Sequence, residues 1–320
     1  MEVRHQRKLT QCIMAVLLAG LTALATQPSS AAFAATNTSW PMFQGDIGHS
    51  GYNSSESILN ATSIKRLRTV WMAQAGGGIS GEPTVANGII YWGSWDGYLH
   101  ATSVSGRALW RTFLGRTAVP SCFPPSAGVA STPTVTTIGA QPAVIVGGGN
   151  AVLYALNART GRVIWQTSLG ASPAHFLWSS PTLYNGAIYM GIASFGDCPL
   201  VVGGLAKLSL ATGKIEAIFH TTSGGCLGAS IWGTPVVDPY TGNVYVATGN
   251  VDTTAVCKKG TQYGTSILAF SLNDLSLVDS WQVPNSQIGF DQDFGATPTL
   301  FTGNGYGYGY PVPMIGVASK

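Results

Sequence analysis

Five prolines in this chain sit in short runs that open a strand-like segment. The runs are Gly81-Glu82-Pro83-Thr84-Val85, Ser131-Thr132-Pro133-Thr134-Val135, Ser179-Ser180-Pro181-Thr182-Leu183, Gly233-Thr234-Pro235-Val236-Val237 and Ala296-Thr297-Pro298-Thr299-Leu300. The prolines are 50, 48, 54 and 63 residues apart. A period near that length, filled with strands and no helices, specifies an all-β propeller or a related array. Proline at the start of the innermost strand of a blade costs little, because that edge can lose one N–H to the central channel.

Within a period the same four parts recur. In the second repeat, residues 133–137 read as strand A and residues 143–146 as strand B. Residues 151–156 read as strand C, and the turn 157–161 leads into strand D, residues 162–167. This is a four-stranded meander, the unit of a blade. Asn87-Gly88 and Asn185-Gly186 are hairpin turns between A and B. Low charge (9%) with 45% apolar and 10% aromatic residues excludes a disordered chain and suits strands and turns.

The C–D turn carries a second signature, Ala155-x-Asn157-x-x-Thr160-Gly161-x-x-x-Trp165. It recurs over residues 101–110, ending in Trp110, and in part as Ala211-Thr212-Gly213, with Ala217 in the Trp position. The fourth repeat reads as keeping Ala269 and Trp281 while losing the Gly. A Trp at a fixed place on an outer strand can dock between blades. This motif, together with the opening Ser39-Trp40-Pro41-Met42-Phe43-Gln44-Gly45-Asp46, resembles the quinoprotein (pyrroloquinoline quinone, PQQ) propeller repeat family from about Trp40 onward. The family includes both dehydrogenases and non-catalytic scaffolds, so fold does not decide function.

Four repeats read as complete blades, and the fifth supplies strand A at Pro298 and strand B at residues 314–317. Residues 69–73 read as the D strand of a preceding blade. The resemblance implies a ring of about six to eight blades. The expectation is therefore an incomplete ring, from a partial sequence lacking on the order of 100–150 residues by the blade period. The alternative is a short form that closes by dimerising.

Arg4, Arg7 and Lys8, the apolar residues 13–25 and Ala32-Phe33-Ala34 read as a secretory signal peptide over residues 1–34. Residues 35–66 read as a lead-in segment and 67–320 as propeller repeats. Without residues 1–34, thirteen basic residues face twelve acidic ones, and no nucleic-acid partner is indicated. No membrane span is expected after signal removal. Secretion to a periplasmic or extracellular space suits the four remaining cysteines, Cys122, Cys198, Cys226 and Cys257. All four fall in B–C or D–A loops on one face. Three connectivities are possible, and blade order favours Cys122–Cys198 with Cys226–Cys257. The same face carries the two longest loops, 193–204 and 249–265, where function usually resides.

One stretch is similar to quinoprotein alcohol dehydrogenases in particular: Trp232-Gly233-Thr234, Asp238-Pro239 and Val244 to Asn250, which ends Thr248-Gly249-Asn250. The resemblance implies that Asn250 is a Ca²⁺ ligand beside the quinone, with Trp232 against the cofactor. An amide oxygen suits that hard cation. The acidic segment Asp291-Gln292-Asp293 follows Trp281, and the resemblance makes Asp291 or Asp293 the general base for a substrate hydroxyl. Asp197 lies two residues off the register of the family's Glu ligand. The chain departs from these enzymes in having neither a vicinal Cys-Cys pair nor a haem motif, so electrons would leave to a separate acceptor. Asn and Asp at these places also serve as ordinary turn residues. Two functions follow. One is an exported PQQ- and Ca²⁺-dependent dehydrogenase acting on a small alcohol, a polyol or a polymer. The other is a non-catalytic propeller binding a protein or polymer on its loop face.

Overall fold

Each repeat proline stands one residue before the first strand of a sheet. The computed structural model describes residues 39–252, 254–258, 262–284, 293–304 and 311–319, which therefore excludes residues 1–34 and Asp291. Blade 1 comprises β1 (Thr84–Ala86), β2 (Ile89–Gly93), β3 (Tyr98–Ser103) and β4 (Ala108–Phe113). A small hairpin, β5 (Thr117–Ala118) and β6 (Ser126–Ala127), precedes blade 2, which is β7 (Thr134–Ile138), β8 (Gln141–Gly147), β9 (Val152–Asn157) and β10 (Val163–Ser168). The short β11 (His175–Phe176) pairs with β13 of blade 3. That blade is β12 (Thr182–Tyr184), β13 (Ala187–Ser194), β14 (Gly204–Ser209) and β15 (Ile215–His220). Blade 4 is β16 (Val236–Asp238), β17 (Asn243–Ala247), β18 (Ser266–Ser271) and β19 (Leu277–Gln282), followed by the hairpin β20 (Thr299–Asn304) and β21 (Pro311–Gly316). Every blade is an antiparallel meander, and the described sheets do not close into a ring. The fold is thus the four-stranded-blade propeller that the repeat predicts.

The second strand of a blade is apolar at successive positions because both of its faces are covered. In β8, Val144 and Val146 belong to the cluster shared with blade 1, containing Tyr91, Leu99 and Leu114. Ile145, on the other face, joins Ile188, Met190 and Leu208 of blade 3. Each such buried aliphatic contributes about 1.5–3 kcal/mol. The next interface is built from Tyr189, Leu205, Val244, Leu268 and Phe270. Asn87 and Gly88 (φ 52° and 74°), like Asn185 and Gly186 (46° and 75°), have the left-handed backbone that a tight hairpin turn demands.

The residues before the prolines form a belt from blade to blade. The N–H of Glu82 donates to the Thr132 hydroxyl (2.9 Å), that of Thr132 to Ser180 (2.9 Å), that of Ser180 to Thr234 (3.2 Å), and that of Thr234 to Thr297 (3.1 Å). The recurrence of Ser or Thr at this place therefore has a physical cause: the hydroxyl satisfies a backbone donor that no strand pairs.

The lead-in segment supplies a second link that its sequence does not announce. The N–H two residues after the proline donates to this segment in four of five repeats: Val85 to Trp40 O (2.9 Å), Val135 to Pro41 O (2.7 Å), Val237 to Ile47 O (2.9 Å) and Leu300 to Gly48 O (2.9 Å). Glu82 holds the segment's start, accepting from Trp40 Nε1 at 2.8 Å and from the Gln44 N–H at 2.7 Å. A single stretch of turns and bends, residues 40–48, thus joins the inner edges of blades 1, 2, 4 and the last hairpin.

The Trp motif docks successive blades. Trp110 Nε1 donates to Ala158 O, and Trp165 Nε1 to Leu210 O, both at 3.1 Å. Each ring lies against the turn glycine of the next blade. A Cβ on Gly161 would come within 2.6 Å of Trp110, and one on Gly213 within 2.5 Å of Trp165. Residues 69–73, read as the D strand of a preceding blade, pair with no strand among the described residues, yet Trp71 Nε1 donates to Val104 O (3.0 Å) and its ring covers Gly106 as Trp110 and Trp165 cover Gly161 and Gly213. One expectation is corrected here. Trp281 is not the fourth docking Trp. Trp110 pairs with Ala101 and Trp165 with Ala155, whereas Ala269 pairs with Asp279, and Trp281 faces Ile267 two residues further on.

Candidate functional site

The chain reverses at every strand, so the loops after the second and fourth strands of each blade gather at one end. Both disulfides lie there. Cys122, before blade 2, is bonded to Cys198 in the loop after β13, with the Cα atoms 5.6 Å apart. Cys226, before blade 4, is bonded to Cys257 after β17, with 4.7 Å between Cα atoms. These are the pairings that blade order favours.

Near the blades' inner edges these loops enclose a cleft of about 330 Å³, lined by Ser80, Ala130, Trp178, Trp232, Ala193, Ser194, Gly196, Asp197, Ser230 and Asp293. Ser80, Ala130, Trp178 and Trp232 each stand three residues before a repeat proline. The inner belt therefore carries one residue per blade into the cleft, and the repeat itself locates them. Sequence reasoning singled out Trp232 and passed over Trp178, although both occupy the same position of the period.

Three of the expected site residues meet in this cleft: Trp232, Asp197 and Asp293. The fourth, Asn250, is attached to it, since its N–H donates to Asp293 Oδ1 at 2.6 Å. The Asn250 carbonyl accepts from the Ala229 N–H at 2.7 Å, so the end of the Thr-Gly-Asn segment is held on both sides. Asp293 is 5% exposed. Gly249 leaves room for this contact: a Cβ there would lie 3.1 Å from Asp293 Oδ1 and 3.4 Å from Trp232 Nε1. Asp291 lies outside the described residues and is not placed.

Trp178 brings an aromatic cluster to the cleft. Trp178 lies nearly parallel to Phe195 (centroids 6.2 Å apart, planes at 10°) and meets Trp95 edge-on at 6.2 Å. Trp95 Nε1 donates to the Ser80 hydroxyl at 2.8 Å, and Trp178 Nε1 to Ser194 O at 3.1 Å. The Ser194 and Ser230 hydroxyls, 3.2 Å apart, bridge blades 3 and 4.

This lining can be weighed against a planar quinone with a divalent cation. Two indoles offer flat apolar faces, and Asp197, Asp293 and the serines offer the oxygen donors that a hard cation takes. Its volume falls at the lower end of small-ligand pockets, about 300–1,000 Å³. Among the described residues the lining has no Lys or Arg, and no three His, Cys, Asp or Glu side chains come together there or elsewhere, so Asp197 and Asp293 are the cleft's two carboxylates. The donor set fits the pair, with the positive charge for an anionic quinone left to the cation.

Comparison with known proteins agrees with the architecture. The PQQ_2 family model, whose description is outer membrane protein assembly factor BamB, matches residues 55–266. A polyvinylalcohol dehydrogenase of Pseudomonas sp is 27% identical over 220 residues, covering 60% of this chain and 33% of that protein. The quinoprotein alcohol dehydrogenase PedH of Pseudomonas putida is 28% identical over 196 residues, covering 59% and 29%. This chain thus spans about a third of the length of these relatives. Among solved structures, the quinohemoprotein alcohol dehydrogenase of Comamonas testosteroni superposes with a TM-score of 0.76 at 21% identity, over 90% of this chain and 47% of that one. A europium-containing methanol dehydrogenase superposes with a TM-score of 0.70 at 16% identity, over 88% and 54%. At these identities the two structures establish a shared fold.

Proposed function

We propose, from the premise that this chain belongs to the PQQ_2 family, that it is an exported quinoprotein-type dehydrogenase oxidising an alcohol or polyol hydroxyl with pyrroloquinoline quinone and Ca²⁺. The observation that carries this reading is the meeting of Trp232, Asp197 and Asp293 in one cleft, with the Asn250 N–H on Asp293. The dehydrogenase relatives support the reaction class. When bound, the quinone would supply the hydride acceptor and the cation Lewis acidity.

The chain's own residues would do the rest. Trp232 and Trp178 would pack the planar ring and exclude water from the cleft. Asp197 and the side chain of Asn250 would hold the cation. Asp293 would take the proton of the substrate hydroxyl, its carboxylate oriented by the Asn250 N–H. General-base assistance of this kind is worth about 10²–10⁴ in rate. Asp291 stays the alternative base. A separate acceptor would carry the electrons away.

The test is calorimetric titration of the full chain with Ca²⁺ and then with the quinone, followed by dye reduction with ethanol and with polyvinyl alcohol. Saturable quinone binding that weakens at least tenfold under chelator is expected, because the lining's charges are acidic and the two ligands must be coupled. No binding of either ligand at millimolar Ca²⁺ would overturn this reading and favour a non-catalytic propeller that docks a protein or polymer on its loop face.

A further inference from the structure

The loop that brings Asp197 to the cleft is built in an unusual way. Of residues 193–197, Ala193, Ser194, Gly196 and Asp197 line the cleft, while Phe195 is fully buried against Phe176, with ring centroids 5.3 Å apart. The backbone is left-handed at two consecutive residues, Gly196 (φ 63°) and Asp197 (φ 55°). Aspartate tolerates that conformation better than most residues, and its neighbours help to fix it here. Those neighbours belong to the segment before blade 2. Cys198, the next residue, is bonded to Cys122 across 76 positions. Gly196 packs so closely on this segment that a Cβ would sit 2.6 Å from the Phe123 carbonyl oxygen. The two sulfurs do not lie on the surface as a bare staple. Cys122 is 7% exposed, in a cluster with Phe176, Phe195, Ala130 and the cleft-lining Trp178.

From this juxtaposition we infer that Cys122–Cys198 is a positioning pair for the cleft: it holds the Asp197 carboxylate, and the Trp178 wall behind it, in the geometry that binds a divalent cation. The inference rests on the proposed cofactor site and adds a control point to it. Neither cysteine lines the cleft. They act through the adjacent residue and through the aromatic cluster, as outer-shell partners act on a metal site. Ca²⁺ affinity in this chain is therefore tied to the oxidation state of one cystine.

The test compares five full-length proteins purified in the oxidised state: the parent, C122S/C198S, D197N, the combined C122S/C198S/D197N, and L275A as a control for general loss of stability at the opposite end of the blades. Ca²⁺ alone is the probe, titrated calorimetrically, and hydrogen exchange of residues 193–204 is followed in parallel. The inference predicts an affinity at least about tenfold weaker for C122S/C198S and for D197N, no further loss when the two are combined, and an unchanged affinity for L275A. It also predicts faster exchange in residues 193–204 for C122S/C198S. Where that variant does not fold, G196A serves instead, since it pushes the loop from Phe123 without touching sulfur. Parent-like exchange and parent-like Ca²⁺ affinity in the cystine variant would overturn the inference and leave the cofactor reading intact. Failure of the parent itself to bind Ca²⁺ would overturn the cofactor reading, and the exchange data would still report whether the cystine holds the loop.

Discussion

Asn250 and Asp293 are joined by a 2.6 Å hydrogen bond from the backbone N–H of the first to Oδ1 of the second. The bond ties the end of the blade-4 B strand to the segment leading into β20. A hydrogen bond to a charged group contributes about 1.5–3 kcal/mol, and a buried donor left alone costs a similar amount. Asp293→Ala should therefore lower stability by about 2 kcal/mol, read by urea denaturation. Asp293→Asn can still accept the N–H and should retain most of that stability. Both variants should lose at least about a hundredfold in alcohol-dependent dye reduction if Asp293 is the base. An Asp293→Asn protein with parent activity would move that role to Asp291.

Blades 3 and 4 meet without a docking Trp. Ala217 stands in its place, and Leu275 stands where blades 1, 2 and 3 have Gly106, Gly161 and Gly213. Leu275 has a left-handed φ of 59°, yet it is 3% exposed and belongs to the interface core. Tyr189 Oη donates to Leu272 O (2.8 Å), as Tyr91 Oη does to Ala158 O (3.1 Å) beside Trp110, and Lys207 Nζ donates to Asn273 O (2.6 Å). The leucine fills volume that the missing indole leaves, at the cost of an unfavourable backbone. Leu275→Gly should destabilise by about 2–4 kcal/mol, and Ala217→Trp by about 1–3 kcal/mol through overpacking. The double variant should be more stable than their sum by at least about 1 kcal/mol, measured as a double-mutant cycle. Strict additivity would refute the compensation.

Acid should loosen the lead-in segment. His49 is buried, its Nδ1 lies 3.2 Å from Pro298 O, and its ring meets Phe43 edge-on. Burial lowers its pKa to about 4, against the Pro298 carbonyl and the Asp46 charge, which pull it up. Since the unfolded residue titrates near 6.5, its stabilising contribution is whole above pH 6.5 and is lost as pH falls through 4. The amount is on the order of 3 kcal/mol. His100, also lowered by burial, adds in the same direction. His49→Gln should flatten the stability profile between pH 6.5 and 4 relative to the parent. An unchanged profile would show that His49 does not sense the pH.

The belt of hydroxyls can be tested one link at a time. Ser180 accepts the N–H of Thr132, and both residues are buried. Ser180→Ala leaves that donor unpaired and should cost about 1–3 kcal/mol by thermal or chemical unfolding. Ser180→Thr preserves the acceptor and should cost less. Equal losses would assign the effect to packing.

Much of the blade architecture was determined by sequence alone, because its causes are local and periodic. Proline marks where an inner strand can begin, Asn-Gly marks the hairpins, and continuous apolar runs such as 143–147 mark strands buried on both faces. Blade order was enough to favour the cystine pairing. Tertiary structure alone decided matters that depend on hydrogen bonds between distant segments, which leave no period in the chain. It set Asp279, and not Trp281, opposite Ala269. It also threaded residues 40–48 along the inner edges and brought Asp197, Trp178 and Asp293 into one cleft. A repeat specifies which atoms each blade presents inward, but only the packing of blade on blade decides which of them face one another.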